Sequence, residues 1–224
     1  MNRRDYLRTA AAVGIAGTAG CTGMLDSGGN PNVTLAKPDR DADVTSEDLP
    51  YPAWGQKVPA VSLPAPLDDR TVDLRSVGKP SLLTFFYSHC QTVCPVLVSA
   101  MRNVQTHSLN EEYADEVAFF PTTFDPARDD AERFRAYADK MNVDTDAGNW
   151  HFLRPESKDR AKSVVQEQFG VAFERTEPED MDMYMFTHSA LTFLVNADGY
   201  VERAYRSKSP NAETIISDLE RVRA

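Results

Sequence analysis

The chain has 224 residues, with 24 Lys and Arg against 34 Asp and Glu, a formal charge of −10, and 3 cysteines. That length supports one or two domains with a sizeable core. Three cysteines are too few for a disulfide-built scaffold, and the acidic balance argues against a nucleic-acid surface, which needs clustered Lys and Arg. The acids are mainly Asp (21 against 13 Glu) and the bases mainly Arg (17 against 7 Lys). Such a surface resembles that of proteins from high-salt environments, where screening relieves self-repulsion; the alternative is an ordinary acidic protein.

Residues 1–21 read as an address. Arg3-Arg4-Asp5-Tyr6-Leu7 resembles a twin-arginine export signal. The weakly apolar run Thr9 to Gly20 is too short to cross a bilayer and ends Thr18-Ala19-Gly20-Cys21. Small residues directly before a cysteine resemble a lipoprotein processing site, with Cys21 taking the lipid and becoming the new N-terminus. The alternative is an uncleaved anchor with an incidental cysteine. The lipid reading places the mature chain on the membrane, at the extracytoplasmic face, where disulfides persist. Losing the signal takes the net charge to about −12. Residues 22–50 show no apolar periodicity and read as a flexible tether, and 51–224 as a single domain.

Within the domain, Ser81 to Tyr87 is a continuous apolar run, the pattern of a strand buried on both faces. Pro95 to Leu109 carries Val96, Leu97, Ala100, Met101 and Val104 at helical spacing. Glu116 to Phe124 predicts a second buried strand, despite Pro121. Asp129 to Met141 predicts a helix with Phe134, Tyr137, Ala138 and Met141 on one face, and Asp129 with Glu132 as its capping box. Trp150 to Leu153 predicts a short strand, and Lys158 to Phe169 a helix that stops at Gly170. Ser189 to Val195 and Tyr200 to Tyr205 flank an Asp-Gly turn and predict a hairpin. Asn211 to Arg223 is a closing amphipathic helix. Strand–helix–strand–helix, then hairpin and helix, is the thioredoxin order. It predicts an α/β fold: a central mixed β-sheet flanked by helices on both faces, with a C-terminal β-hairpin and helix.

The chemistry falls where the first core strand ends. Ser88-His89-Cys90-Gln91-Thr92-Val93-Cys94-Pro95 follows it directly, the position where α/β sheets place ligands. Pro95 favours the first helical position, so the helix is expected to begin around Cys94. Both thiols then lie at the positive end of a helix, which favours thiolate. Three residues separate the cysteines, one more than in a thioredoxin redox site. Such a loop suits a disulfide, or two soft sulfurs around one ion. His188 lies just before the hairpin and opposite the cysteine loop in this topology, and would complete a two-sulfur, one-nitrogen site. That set suits copper, whereas structural zinc takes four protein ligands.

The run Leu83 to Cys90 with Cys94-Pro95, then Phe124-Asp125-Pro126-Ala127-Arg128-Asp129, then His188-Ser189 with Asp198-Gly199, resembles the Sco/SenC family of membrane-anchored, copper-binding, thioredoxin-like proteins. The resemblance covers roughly 51–224. It implies copper, as Cu(I) or Cu(II), held by Cys90, Cys94 and His188. It also implies a partner, cytochrome c oxidase subunit II, whose binuclear copper centre the protein would help to build. The cysteine loop departs from the family's usual Pro-Asp, having Gln91-Thr92-Val93 instead, and Thr187 stands where Asp often precedes the histidine. Partner recognition and redox potential rest on such neighbours.

Asp125 reads as a carboxylate behind the site or as a turn residue before Pro126. His89 is expected to point away from Cys90, and His107 and His151 to be structural. Met181, Met183 and Met185 read as apolar packing or as a flap over the site. The main alternative to copper delivery is a thiol–disulfide oxidoreductase cycling Cys90 and Cys94 as a redox pair. A peroxidase lacks its usual motif here, and a sensing module lacks an effector domain.

Overall fold

A computed structural model describes residues 30–39, 44–179 and 182–224. The proposed signal, Cys21 and Met181 lie outside the described residues. The fold opens with an antiparallel hairpin, β1 (Ser62–Ala65) and β2 (Arg70–Asp73). The central sheet follows: β3 (Ser81–Phe86), then α1 (Val93–Asn110), β4 (Ala118–Thr123) and α2 (Ala131–Met141). α3 (Lys158–Ala161) continues as a π-helical stretch, Lys162–Gln168. A separate antiparallel ribbon, β5 (Phe173–Thr176) and β6 (Met185–His188), precedes β7 (Thr192–Val195), β8 (Val201–Tyr205) and α4 (Ala212–Arg223).

The sheet order is β4-β3-β7-β8, with β3 parallel to β4 and antiparallel to β7. All six residues of β3 and of β4 are buried, as the unbroken apolar runs require. Neighbours on a strand face opposite ways, and Phe86 and Phe85 show what each face meets. Phe86 packs on Phe134 and Tyr137 of α2, at ring distances of 6.2 and 5.3 Å. Phe85 packs on Phe169, at the end of the α3 segment, at 5.0 Å. Helices therefore cover both faces. This is the expected mixed α/β architecture.

Several elements differ in detail. The stretch 150–153 joins β4 through two parallel bridges, Phe119 with Trp150 and Thr122 with Leu153, rather than as a full strand. The helix expected over 158–169 widens into i→i−5 bonding, with Phe169 N–H donating to Val164 O at 3.0 Å. It stops, as expected, at Gly170, whose φ is +65°. A Cβ there would run into the Pro50 carbonyl, so both the left-handed turn and the close approach demand glycine. The cap of α2 is Asp130, whose side chain accepts from Arg133 N–H. Asp129 is instead buried and bonded elsewhere. The β1–β2 hairpin and the β5–β6 ribbon have four-residue strands without clear alternation and are not visible as sequence patterns.

The stretch 22–50, expected as a tether, is in part docked on the domain. Leu35 is buried. The fully buried carboxylate of Glu202 on β8 accepts the N–H groups of Thr34 and Leu35, each at 2.9 Å. Trp54 Nε1 donates to Leu35 O at 2.8 Å. These contacts, with the bridge between Lys57 and Tyr200, cover the β8 edge, which would otherwise expose unpaired backbone.

Candidate metal centre

At the end of β3 the chain turns through Ser88 and His89. Cys90 N–H donates to Tyr87 O at 3.2 Å. α1 begins at Val93, one residue before the expected start, with Thr92 at the cap position and no side-chain cap bond. Cys90 Sγ takes that role: Cys94 N–H donates to it at 3.4 Å. One of the unsatisfied N–H groups of the first helical turn thus points at the sulfur. Pro95 stands in that same turn, where its missing N–H removes no helical bond.

His188 reaches the cysteines from the other side, as the last residue of β6. Its Nε2 lies 3.2 Å from Cys94 Sγ. Its Nδ1 lies 3.1 Å from Ser189 O; a carbonyl only accepts, so Nδ1 carries a proton and Nε2 is the ring atom turned to the sulfurs. The ring is seated against Phe124 at 5.2 Å and Tyr87 at 6.2 Å. The Tyr87 hydroxyl accepts Phe186 N–H at 3.2 Å, which pins β6 two residues before His188. The three donor atoms lie within 4.8 Å of one another, with both cysteines buried and His188 half-buried. Neither cysteine is in a disulfide.

The electrostatics separate the two sulfurs. The Cys94 thiol beside Cys90 holds the latter's pKa down at about 3, helped by His188 and by N–H groups of the helix start against the effect of burial. Burial pushes Cys94 far up, and the neighbouring Cys90 adds to it. One thiolate and one thiol therefore share the site, and a metal bound by both must displace the Cys94 proton.

Asp125 is buried but touches none of the three donors. It accepts from Arg128 Nε and, at 2.9 Å, from the Tyr184 hydroxyl. Arg128 Nη1 donates to Tyr184 O at 2.9 Å, and its guanidinium lies 3.6 Å over the Tyr184 ring. Asp125 thus acts on the approach to β6. Asp129, which sequence reading assigned to a helix cap, accepts from Ser88 N–H, Ser88 Oγ and Thr123 Oγ1. It fixes the turn leading to Cys90. Burial raises its pKa. Arg133 donates to both Ser88 Oγ and Ser88 O. No local signal reveals this role, because Asp129 and Ser88 are 41 residues apart.

The other histidines lie outside the donor group. His89 Nδ1 bonds with Ser88 Oγ at 3.2 Å, faces Asp129, and is not part of the donor group. Burial, then Arg133 and Arg128, lower its pKa. His107 bonds with the Tyr113 hydroxyl at 2.7 Å, and His151 with Asp68 at 3.0 Å. Met185 packs against the core while Met183 is exposed.

A family profile described as SCO1/SenC matches residues 68–224. The chain belongs to the SCO1/SenC family. Among curated proteins it is 27% identical to the SCO1 protein homolog of Bacillus subtilis over 155 residues, 68% of this chain and 76% of the relative. It is 27% identical to SCO2-like protein RC0895 of Rickettsia conorii over 135 residues, 59% of this chain and 62% of that one. Solved structures share the fold. A SCO1/SenC family lipoprotein from Bacillus anthracis superposes with a TM-score of 0.62 at 24% identity, over 77% of this chain and 96% of that one. Bradyrhizobium japonicum ScoI with copper bound gives 0.56 at 23%, over 72% and 96%. BsSco, described as a member of the Sco family of cytochrome c oxidase assembly proteins, gives 0.60 at 24%, over 78% and 96%. The thioredoxin-like expectation agrees with these neighbours.

Proposed function

We propose that this protein carries one copper ion on Cys90, Cys94 and His188 and passes it to the binuclear copper centre of cytochrome c oxidase subunit II. It would work at the outer face of the membrane, anchored through lipidated Cys21. The observation that carries the reading is the donor set itself: two soft sulfurs and an imidazole nitrogen within 4.8 Å of one another, with no fourth Cys, His, Asp or Glu joining them among the described residues. Structural zinc wants four ligands, whereas Cu accepts a thiolate-rich set of three. Copper bound in the related B. japonicum ScoI supports the choice of metal.

The asymmetry of the site suits a cargo. The sulfurs are inside and His188 stands at the mouth, so an acceptor ligand meets the imidazole position first. Replacing His188 and then each sulfur in turn moves copper without releasing it to water. Mixing the copper-loaded protein with the reduced, copper-free domain of subunit II tests this directly. Transfer of copper to the acceptor is the expected result; copper that stays on the donor counts against delivery.

A second reading uses the same sulfurs as a reductant. The Cys90 thiolate would attack a partner disulfide, and Cys94 would resolve the mixed disulfide, leaving Cys90–Cys94 oxidised and two partner thiols. The low pKa of Cys90 favours it, but both sulfurs are buried, which hinders attack on a second protein. Reductase activity that survives His188→Ala would favour this reading over copper delivery.

A further inference from the structure

A polar cavity of about 240 Å³ opens at the end of the sheet away from the cysteines. It is lined where the parallel strands begin: Lys79 precedes β3, Ala118 opens β4, and Asn149 precedes the 150–153 stretch. The cysteines follow the far end of β3, six residues and about 20 Å away.

His151 forms one wall and is 5% exposed. Its ring stacks on Phe120 at 5.7 Å. Its Nδ1 is committed to Asp68 Oδ2, and a carboxylate only accepts, so Nδ1 bears the proton. Nε2 is the atom left for the cavity, and it has no partner among the described residues. Arg70 and Lys79 line the same cavity. Lys79 donates one of its three protons to Asp115 O. The Arg70 side chain makes no hydrogen bond or ion pair among the described residues. Asp68 is paired with His151, and Asp73, which also lines the cavity, accepts Arg75 N–H on one oxygen. Arg70, Lys79 and the free Nε2 of His151 thus share one cavity whose lining holds a single carboxylate, Asp73, in a protein of net charge −10 with only 7 lysines. The two cations outnumber the one carboxylate in the lining, an excess that a bound anion would offset.

We infer that this cavity binds a tetrahedral oxyanion, inorganic phosphate or a phosphate monoester, between Arg70, Lys79 and His151. Arg70 and Lys79 supply the charge. His151 takes up one proton on binding, and its Nε2–H then donates to a phosphate oxygen. Without the anion, burial and the two cations hold the imidazole neutral, against the pull of Asp68; bound phosphate reverses that balance.

The same end of the domain receives the start of the described chain. Asn196, in the β7–β8 turn, donates to Asn32 O at 2.8 Å. Gly199 of that turn lies against Arg75, between the cavity residues Asp73 and Ser76. A lipid headgroup and free phosphate are therefore two sources of the same chemistry. The lipid arm rests on the anchored reading above; the free-phosphate arm does not.

The test is calorimetric titration of the full chain with sodium phosphate at constant ionic strength, beside His151→Gln and Arg70→Gln. Arg70 is exposed, so its replacement leaves folding intact even where loss of His151 does not. Saturable binding, about tenfold tighter at pH 6 than at pH 8 in the parent and weakened about tenfold by Arg70→Gln, is the expected result. Co-sedimentation with vesicles containing phosphatidic acid, a phosphate monoester, that Arg70→Gln abolishes assigns the headgroup; phosphate binding without it assigns the free ion; both uphold the site. No saturable phosphate or vesicle binding, or binding that Arg70→Gln leaves unchanged, overturns it.

Discussion

Cys94 N–H points at Cys90 Sγ across 3.4 Å, so the first cysteine caps the helix that carries the second. A sulfur in this position is bonded as an anion, and its charge is stabilised by the helix start as well as by the Cys94 thiol.

The first prediction is a thiolate titration. Cys90 is held at about 3 in the folded protein, against about 8.5 for an ordinary thiol. Its folded pKa is depressed, so its contribution to stability is full above the unfolded value and is lost as pH falls toward about 3. Thiolate absorbance in the reduced, metal-free protein is expected to persist through neutral and mildly acidic pH and to vanish in Cys90→Ser. Absorbance that disappears near the ordinary thiol value contradicts this.

Asp125 ties down Arg128 and Tyr184 and through them the approach to His188. Asp125→Ala strands a largely buried guanidinium and is expected to destabilise by about 3 kcal/mol. Tyr184→Phe removes one hydrogen bond, a change of about 1 kcal/mol. Both are expected to weaken copper binding without abolishing it, since all three donors remain. Denaturant melts and competitive copper titration check the pair. Unchanged copper affinity in Asp125→Ala would separate this carboxylate from the site.

How far the sequence carried is clear from particular residues. The buried strands β3 and β4 announce themselves as apolar runs because both faces are covered. Cys90, Cys94 and His188 were visible through residue chemistry and order along the chain. Asp129 was not: it satisfies a local capping pattern, yet its partners Ser88 and Thr123 reach it only in the folded chain, and Asp130 takes the cap. Leu35 was missed for a related reason. A single apolar residue in a polar stretch has no periodicity, and its burial depends on Trp54 and Glu202 far along the chain.

Glu202 supplies the next prediction. Its carboxylate accepts two backbone N–H groups and Asn196 Nδ2, the last at 2.8 Å. Glu202→Ala leaves them without an acceptor and is expected to cost about 2 kcal/mol. The stretch around Leu35 should then become the first site of protease cleavage. Cleavage that remains slow there places its docking on other contacts.

Surface composition leads to a salt prediction. With Asp and Arg dominant and a net charge of −10, the melting temperature should fall steeply from molar to low salt as screening is lost. A salt-independent melting temperature contradicts a salt-adapted surface.

The central claim is that Cys90, Cys94 and His188 together hold copper. Reconstituting the reduced protein with Cu(I) and with Cu(II), beside Cys90→Ser, Cys94→Ser and His188→Ala, tests it most directly. Roughly one copper per chain, with thiolate-to-copper charge-transfer absorption for Cu(II), and loss of that copper in each variant is the predicted result. Full copper stoichiometry in all three variants would contradict it.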